Sequence, residues 1–353
     1  MSTSAPPRPE EAPAAPPRLW GWRTWASLAL AFGALGLLAA RVDFAAVLRE
    51  LAATRKSYVV LGLVAHYATY YIRGSRWKFV LNRTPLEASR LKYGLVVFFY
   101  NFVDNLVPAK LGDVYAAHLA RINFGVRRSE ALGSIVFMRL IDGWVVLVLA
   151  VISSWLQFAE RLPPLVFWAL VGGVVVTLCT SAIALGLLVV NRKMPDRVPE
   201  PVRRILRDLR QRMVPSRKRV SGIVLVTALI WLLELLWIHW LARGFGLDLG
   251  PATVVFVATI PLLASAFPFT PSGTGAVELA LYSCLIVVGA STAVAASFTF
   301  LNRIIDYWLH IALGVVAWGV RRRLGLRAWT SAPGAIAPLA PAVDRGHSSP
   351  SLP

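Results

Sequence analysis

Acidic residues are scarce in this 353-residue chain: 18 Asp and Glu stand against 37 Lys and Arg, and charged residues make up only 16%. Two cysteines, Cys179 and Cys284, lie in apolar runs without a CxxC or a His/Cys cluster. That excludes a disulfide framework and a thiolate metal site, and both read as small buried hydrophobes. Walker A, GxSxG, HExxH and GxGxxG motifs are all missing. No phosphate-cradling loop, nucleophile–base set, metal site or cofactor is therefore expected.

What is abundant is apolar sequence, at 57% hydrophobic with a mean hydropathy of +0.61. Runs long enough to cross a ~30 Å hydrocarbon core recur from end to end. They predict an all-α polytopic integral membrane protein. Many of the 13 tryptophans fall near the ends of these runs, where amphipathic rings favour the interface. The net charge of +19 follows the positive-inside rule better than it follows nucleic-acid binding, which is not expected.

Six full spans are read at roughly 24–40, 58–80, 129–158, 164–190, 221–243 and 292–320. Two further segments, 94–120 and 251–289, are broken by Pro and Gly. The halves of the first are too short to cross singly, which suits a re-entrant hairpin; the second is a hairpin or two tight crossings. With the N-terminus cytoplasmic, the inside segments hold 27 Lys/Arg and the outside segments six, which sets both termini inside. Segment 41–56, with Phe44, Val47, Leu48 and Leu51 spaced for one face, is read as a short interfacial helix. Loop 191–220 carries eleven Lys/Arg and is expected to meet anionic head groups. Residues 1–23 and 331–353, rich in Pro, Ala and Ser, read as disordered tails.

Two weak motifs recur at nearly one offset. Pro108–Gly112 and Pro271–Gly275 are both PxxxG, 163 residues apart; Arg139-Leu-Ile-Asp142 and Arg303-Ile-Ile-Asp306 are both RxID, 164 apart. The order span, span, hairpin, span holds in 24–158 and again in 164–320, with the hairpins entering from opposite faces. This predicts two inverted-topology repeats, an arrangement that lets a midplane site open to either side.

Polar groups at membrane depth are costly and so are candidates for function. The first hairpin offers Asn101, Asp104, Asn105, Lys110 and Asp113 around a break made by Pro108 and Gly112. Asp113 either caps the restarting helix or lines a substrate path. The second offers Thr270, Ser272, Thr274 and Glu278 around Pro268, Pro271, Gly273 and Gly275, and the lone carboxylate needs a partner, with Arg139 or Arg303 the candidates. Arg139/Asp142 and Arg303/Asp306 sit three apart, so each couple either neutralises itself or turns its arginine toward a hairpin and a lipid phosphate. Glu234 lies deep in its span and suits a pathway or proton-relay role. His66 reads as a hydrogen-bonded core residue, with a ligand or proton-relay role as the alternative, and Arg73 and Arg76 as snorkelling to head groups.

"NLVPAKLGDVYAAHLAR", "MRLID", "FPFTPSGTGAVE" and "NRIIDYWLH" together resemble the transmembrane domain of bacterial lysylphosphatidylglycerol synthase/flippases, over about residues 25–320. The resemblance implies a stand-alone flippase-like protein of the plasma membrane, with Asn105, Pro108, Gly112, Asp113, Pro268, Pro271, Gly273, Gly275 and Glu278 at the family's motif positions. Lys110 departs from the arginine of many relatives, and Ser272 and Thr274 replace more apolar or glycine choices, which bears on the substrate. The soluble aminoacyl-transfer domain of the two-part synthases has no counterpart here, so the chain is not expected to make aminoacyl-lipid itself. The expected function is movement of an anionic, aminoacylated or isoprenoid lipid between leaflets. The alternative is a membrane-embedded glycosyl- or prenyl-phosphate-dependent transferase. Expected partners are membrane lipids and either a second copy of the chain or a separate lipid-synthesising protein.

Overall fold

A computed structural model describes residues 43–81, 89–106, 112–158, 162–190, 217–265 and 273–327, with Gly33, Arg203 and Arg207 described singly. Among these residues there are helices and no strands. In chain order they are α1 (Phe44–Ala53), α2 (Lys56–Leu81), α3 (Arg90–Leu106), α4 (Gly112–Phe124), α5 (Arg128–Gln157), α6 (Pro164–Val190), α7 (Arg217–Gly244), α8 (Pro251–Ala264), α9 (Ala276–Val287), α10 (Thr292–Arg303), a π turn (Ile304–Leu309) and α11 (His310–Val320). The span expected at 24–40 lies outside the described residues, Gly33 apart, and so do both tails and most of the basic loop.

Four of these stretches are long and apolar enough to cross a membrane: Arg128–Gln157, Val166–Gly186, Val220–Gly244 and Thr292–Val320. Their outward surfaces are oily: Leu225 is 72% and Trp168 67% exposed, a burden in water but normal against lipid. Cys179 also faces outward, whereas Cys284 is buried, so only one of the two cysteines is a core residue. α2 is long enough to cross but is not among these four, because His66, Arg73 and Arg76 interrupt its apolar sequence.

α2 and α7 run antiparallel along nearly their whole length. Tyr58 stacks on Trp240 at 5.7 Å, His66 and Arg73 meet Glu234, and Arg76 meets Thr227 further down. α3 crosses α2 at a point where Gly74 and Gly94 bring the backbones into contact. Small residues do this work in lipid, where apolar burial between helices drives little and close packing must hold them.

Two pairs of shorter helices, α3/α4 and α8/α9, each pack partner against partner. At 1.5 Å per residue, the 17-, 13-, 14- and 12-residue helices extend about 18–26 Å. α1 forms where the amphipathic spacing predicted it. Asp43 caps it by accepting from the Ala45 N–H, and Val47 buries against α10 while Phe44 and Leu48 stay exposed.

The buried apolar side chains form two clusters. One gathers Trp77, Tyr93, Phe99 and Phe124 around α3/α4; the other gathers Trp231, Leu241, Phe256, Leu285 and Phe298 around α8/α9. α2, α5 and the α10–α11 stretch contribute to both, one end to each cluster. Along these three stretches lie His66, Arg73 and Arg76; Arg139 and Asp142; Arg303 and Asp306. Together they form a polar belt where the two apolar clusters meet.

Candidate functional site

The first helix pair closes on an arginine. Gly112 opens α4, and its backbone N–H donates to Asp104 Oδ1 at 2.7 Å, so the cap of this helix comes from α3, not from Asp113. A side chain at Gly112 would also strike the Tyr100 carbonyl, which is why the chain turns there without one. Asp113 is thereby free to take Arg139 of α5: the guanidinium lies 2.9 Å from Asp113 Oδ1 and 3.3 Å from Asp104 Oδ2.

The second pair closes on the other arginine. Gly273 and Gly275 adopt φ of +68° and +91°, left-handed backbone that a side chain would strain. Glu278, in the first turn of α9, accepts from the Gly275 N–H at 2.6 Å with Oε2 and holds Arg303 Nε at 2.7 Å with Oε1. Arg303 also donates to Thr274 Oγ1 and lies 4.1 Å from the Tyr307 ring centroid. Of the two partners expected for Glu278, it is Arg303 that arrives.

Neither RxID couple neutralises itself. Asp142 turns away from Arg139 and takes Arg76 in a bidentate pair at 2.7 and 2.6 Å, with Arg73 at 3.7 Å. Asp306 turns away from Arg303 toward His66 Nε2, at 3.5 Å. The Arg139/Asp142 couple diverges on regular α-helix, and the Arg303/Asp306 couple diverges across the start of the π turn at Ile304.

Two sequence expectations are overturned in α2. Arg73 and Arg76 do not snorkel: Arg76 is 3% exposed, bound to Asp142 and Thr227, and Arg73 holds Glu234 Oε1 at 2.9 Å. Opposite charge at a few ångströms outweighs the pull of distant head groups. His66 makes no hydrogen bond with its ring nitrogens; it sits between Glu234 and Asp306, at 3.8 and 3.5 Å. His239, five residues from Glu234, packs on Trp240 instead.

Other predicted residues play lesser parts or fall outside. Asn101 donates to the Val97 carbonyl of its own helix. Asn105 is buried, and its backbone carbonyl accepts from Tyr307 at 3.0 Å, which ties the π turn to the end of α3. Lys110, Pro108, Pro268, Thr270, Pro271 and Ser272 lie outside the described residues. Sequence reasoning missed Thr227, Tyr67 and Tyr307. Tyr307 had a signal, directly following the second RxID motif; Tyr67, whose hydroxyl donates to the Ile305 carbonyl at 3.4 Å, had none.

The belt therefore joins Arg73, Arg76, Arg139, Asp142, Glu234, Arg303 and Asp306 from four helical stretches with acids from both short pairs. Asp306 and Arg139 are 43% and 42% exposed, and Asp142, Arg73 and Glu234 keep 17–23%, so these groups are not sealed, whereas Arg76 and Arg303 are 3% and 10% exposed. Such an arrangement can hold a polar or charged group by exchanging one ion pair for another. Among the described residues no His/Cys/Asp/Glu group is arranged to hold a metal.

Residues 24–314 match the family described as the lysylphosphatidylglycerol synthase TM region. A UPF0104 membrane protein of Methanocaldococcus jannaschii is 26% identical over 63% of this chain and 95% of its own length. One of Methanothermobacter thermautotrophicus is 25% identical over 73% and 81%, and one of Pyrococcus horikoshii 21% over 76% and 88%. With the apolar helices, these likenesses make the chain a membrane protein.

Proposed function

We propose that this chain, which belongs to the lysylphosphatidylglycerol synthase TM region family, is a lipid flippase that passes a polar head group along the belt while the acyl or prenyl tails stay in the bilayer. The observation that carries this is the pair of arginine clamps. Arg139 holds Asp104 and Asp113 of one short pair, and Arg303 holds Glu278 of the other. Moving a head group through hydrocarbon is costly, and fixed polar groups across the depth lower that barrier.

In this reading the helices form six spans, and the short pairs are re-entrant hairpins entering from opposite faces. Residues 24–158 and 164–320 are then inverted repeats, with both termini cytoplasmic and the protein in the plasma membrane. The antiparallel α2/α7 pair and the two apolar clusters support this, because each half supplies one long partner and the short helix pair about which one cluster gathers. Loop 191–220 meets anionic head groups, the terminal segments serve as tails, and a second copy or a lipid-synthesising protein delivers the substrate. The substrate is an anionic, aminoacylated or isoprenoid lipid. A metal-dependent transferase would gather its acids at one edge; here they are dispersed and faced by basic side chains.

Reconstitution tests the reading. Purified protein in vesicles carrying labelled lipid in one leaflet should accelerate exchange, and Arg139→Ala or Asp113→Asn should slow it. Absence of exchange by the wild type with anionic, aminoacylated and isoprenoid lipids alike would end it.

A further inference from the structure

We propose that His66 is a proton-binding site through which a proton gradient drives lipid passage; this rests on the flippase reading. His66 lies mid-way along α2 and is 4% exposed. Its two ring nitrogens face carboxylates from two different elements: Nδ1 is 3.8 Å from Glu234 Oε2 on α7, and Nε2 is 3.5 Å from Asp306 Oδ1 on the π turn. A neutral imidazole has one N–H, so one of those carboxylates would face a lone pair. Only the doubly protonated ring offers a donor to both. Both separations exceed hydrogen-bond length, so the attraction is chiefly electrostatic and depends on the proton.

The charge balance points the same way. Arg73 and Arg76 stand against Asp142, Glu234 and Asp306, which leaves one excess negative charge. A proton on His66 removes it, and net charge at membrane depth is costly. The remaining neighbours are accounted for. α2 itself brings Arg73, Tyr67 and Tyr70; α7 brings Trp237 beside Glu234; α11 brings His310, stacked on Tyr70 at 5.0 Å; α3 brings Phe98 against Tyr70 and His310; α5 brings Asp142 through Arg73. Asp306, 43% exposed, is the side chain through which a proton reaches the ring.

The π turn makes this site mechanical. Asp306 is flanked by Arg303, which holds the second short pair through Glu278, and by Tyr307, which holds the first through the Asn105 carbonyl. A proton on His66 adds an electrostatic tie from α2 and α7 to that turn, beside the Tyr67 hydroxyl on the Ile305 carbonyl; its departure removes that added attraction at the point that grips both pairs. In one cycle water on one side protonates a ring nitrogen, and the imidazolium returns that proton to water on the other side. Only the N–H bond forms and breaks.

The test uses the full chain in vesicles of phosphatidylethanolamine and phosphatidylglycerol, with fluorescent phosphatidylglycerol as the probe and the voltage clamped by potassium and valinomycin. One proton per lipid predicts that a gradient of about one pH unit shifts the leaflet distribution of the probe by up to about tenfold. His66→Gln and, as the more exposed control, Asp306→Asn should lose that shift. Exchange by the wild type that ignores the gradient, or a shift retained in folded His66→Gln, overturns the proton role and leaves the flippase reading standing. Independently of lipid, nitrogen-15 histidine NMR of detergent-purified protein, with the His66 signals assigned by their loss in His66→Gln, should show that ring carrying two protons in acid and losing one as the pH rises. A ring that stays neutral at every pH at which the protein is folded overturns the inference. Protonation without any lipid exchange sustains the site but defeats the flippase reading.

Discussion

At the first helix pair Arg139 is 42% exposed and faces two carboxylates, Asp104 and Asp113; at the second, Arg303 is 10% exposed and faces one, Glu278, itself 5% exposed. Both arginines come from an RxID motif on a long helix and both meet the first turn of the shorter helix that follows the break. Yet the first is an open clamp with spare negative charge, and the second is a closed lock whose remaining valences go to Thr274 and the Tyr307 ring. The same plan serves two ends. An exposed ion pair can be exchanged for a ligand's charge, whereas a buried one costs too much to open and holds shape.

The largest expected effect breaks the lock. Arg303→Ala leaves Glu278 buried without its cation and should cost about 3–5 kcal/mol in a reversible unfolding titration of the detergent-solubilised protein. Arg303→Met with Glu278→Gln should recover most of that loss. If Arg303→Ala proves no more harmful to stability than Arg139→Ala, the distinction between lock and clamp is wrong.

Gly273→Ala comes next. It puts a side chain at φ +68°, with the new Cβ 2.8 Å from Val277 Cγ2, and should cost about 1–2 kcal/mol in the same titration. A neutral result would mean that the turn before α9 can relax, and that the lock is held by Arg303 alone.

The elements that were legible in the sequence are those written in consecutive residues. α5, α6 and α7 fall within a few residues of the runs predicted at 129–158, 164–190 and 221–243, because an unbroken apolar stretch at membrane length has little alternative to helix. The turning of each RxID arginine to a short pair was legible as one of two readings, since a spacing of three lets the arginine either pair with its own aspartate or face a hairpin. Arg73 and Arg76 were misread because their partners are remote: Glu234 lies 161 residues away, and nothing in α2 announces the antiparallel register with α7. The π turn was invisible for a different reason. A change from i→i+4 to i→i+5 bonding is a backbone event, and the side-chain pattern of "NRIIDYWLH" reads equally well as α-helix.

Arg139→Ala should then separate stability from transport. The pair is exposed enough that its loss should change stability by no more than about 1 kcal/mol, while lipid exchange in vesicles should fall on the order of tenfold. An unchanged exchange rate would make the open clamp a surface ion pair and nothing more.

The smallest effect is expected from Arg139→Lys, and it sharpens what the clamp does. The guanidinium reaches Asp113 at 2.9 Å and Asp104 at 3.3 Å with a single terminal nitrogen, Nη2, so the pairing seen here uses charge and not the two-pronged geometry of arginine. An ammonium on a shorter stem can face either carboxylate in turn. Stability should therefore move by a few tenths of a kcal/mol, and exchange should fall less than in Arg139→Ala. Exchange as poor as in the alanine variant, in protein of unchanged stability, would show that the fork itself is needed during passage. The open clamp would then grip a head-group phosphate with two nitrogens at once, an action less open to the closed lock, whose Nε holds Glu278 and whose Nη2 holds Thr274.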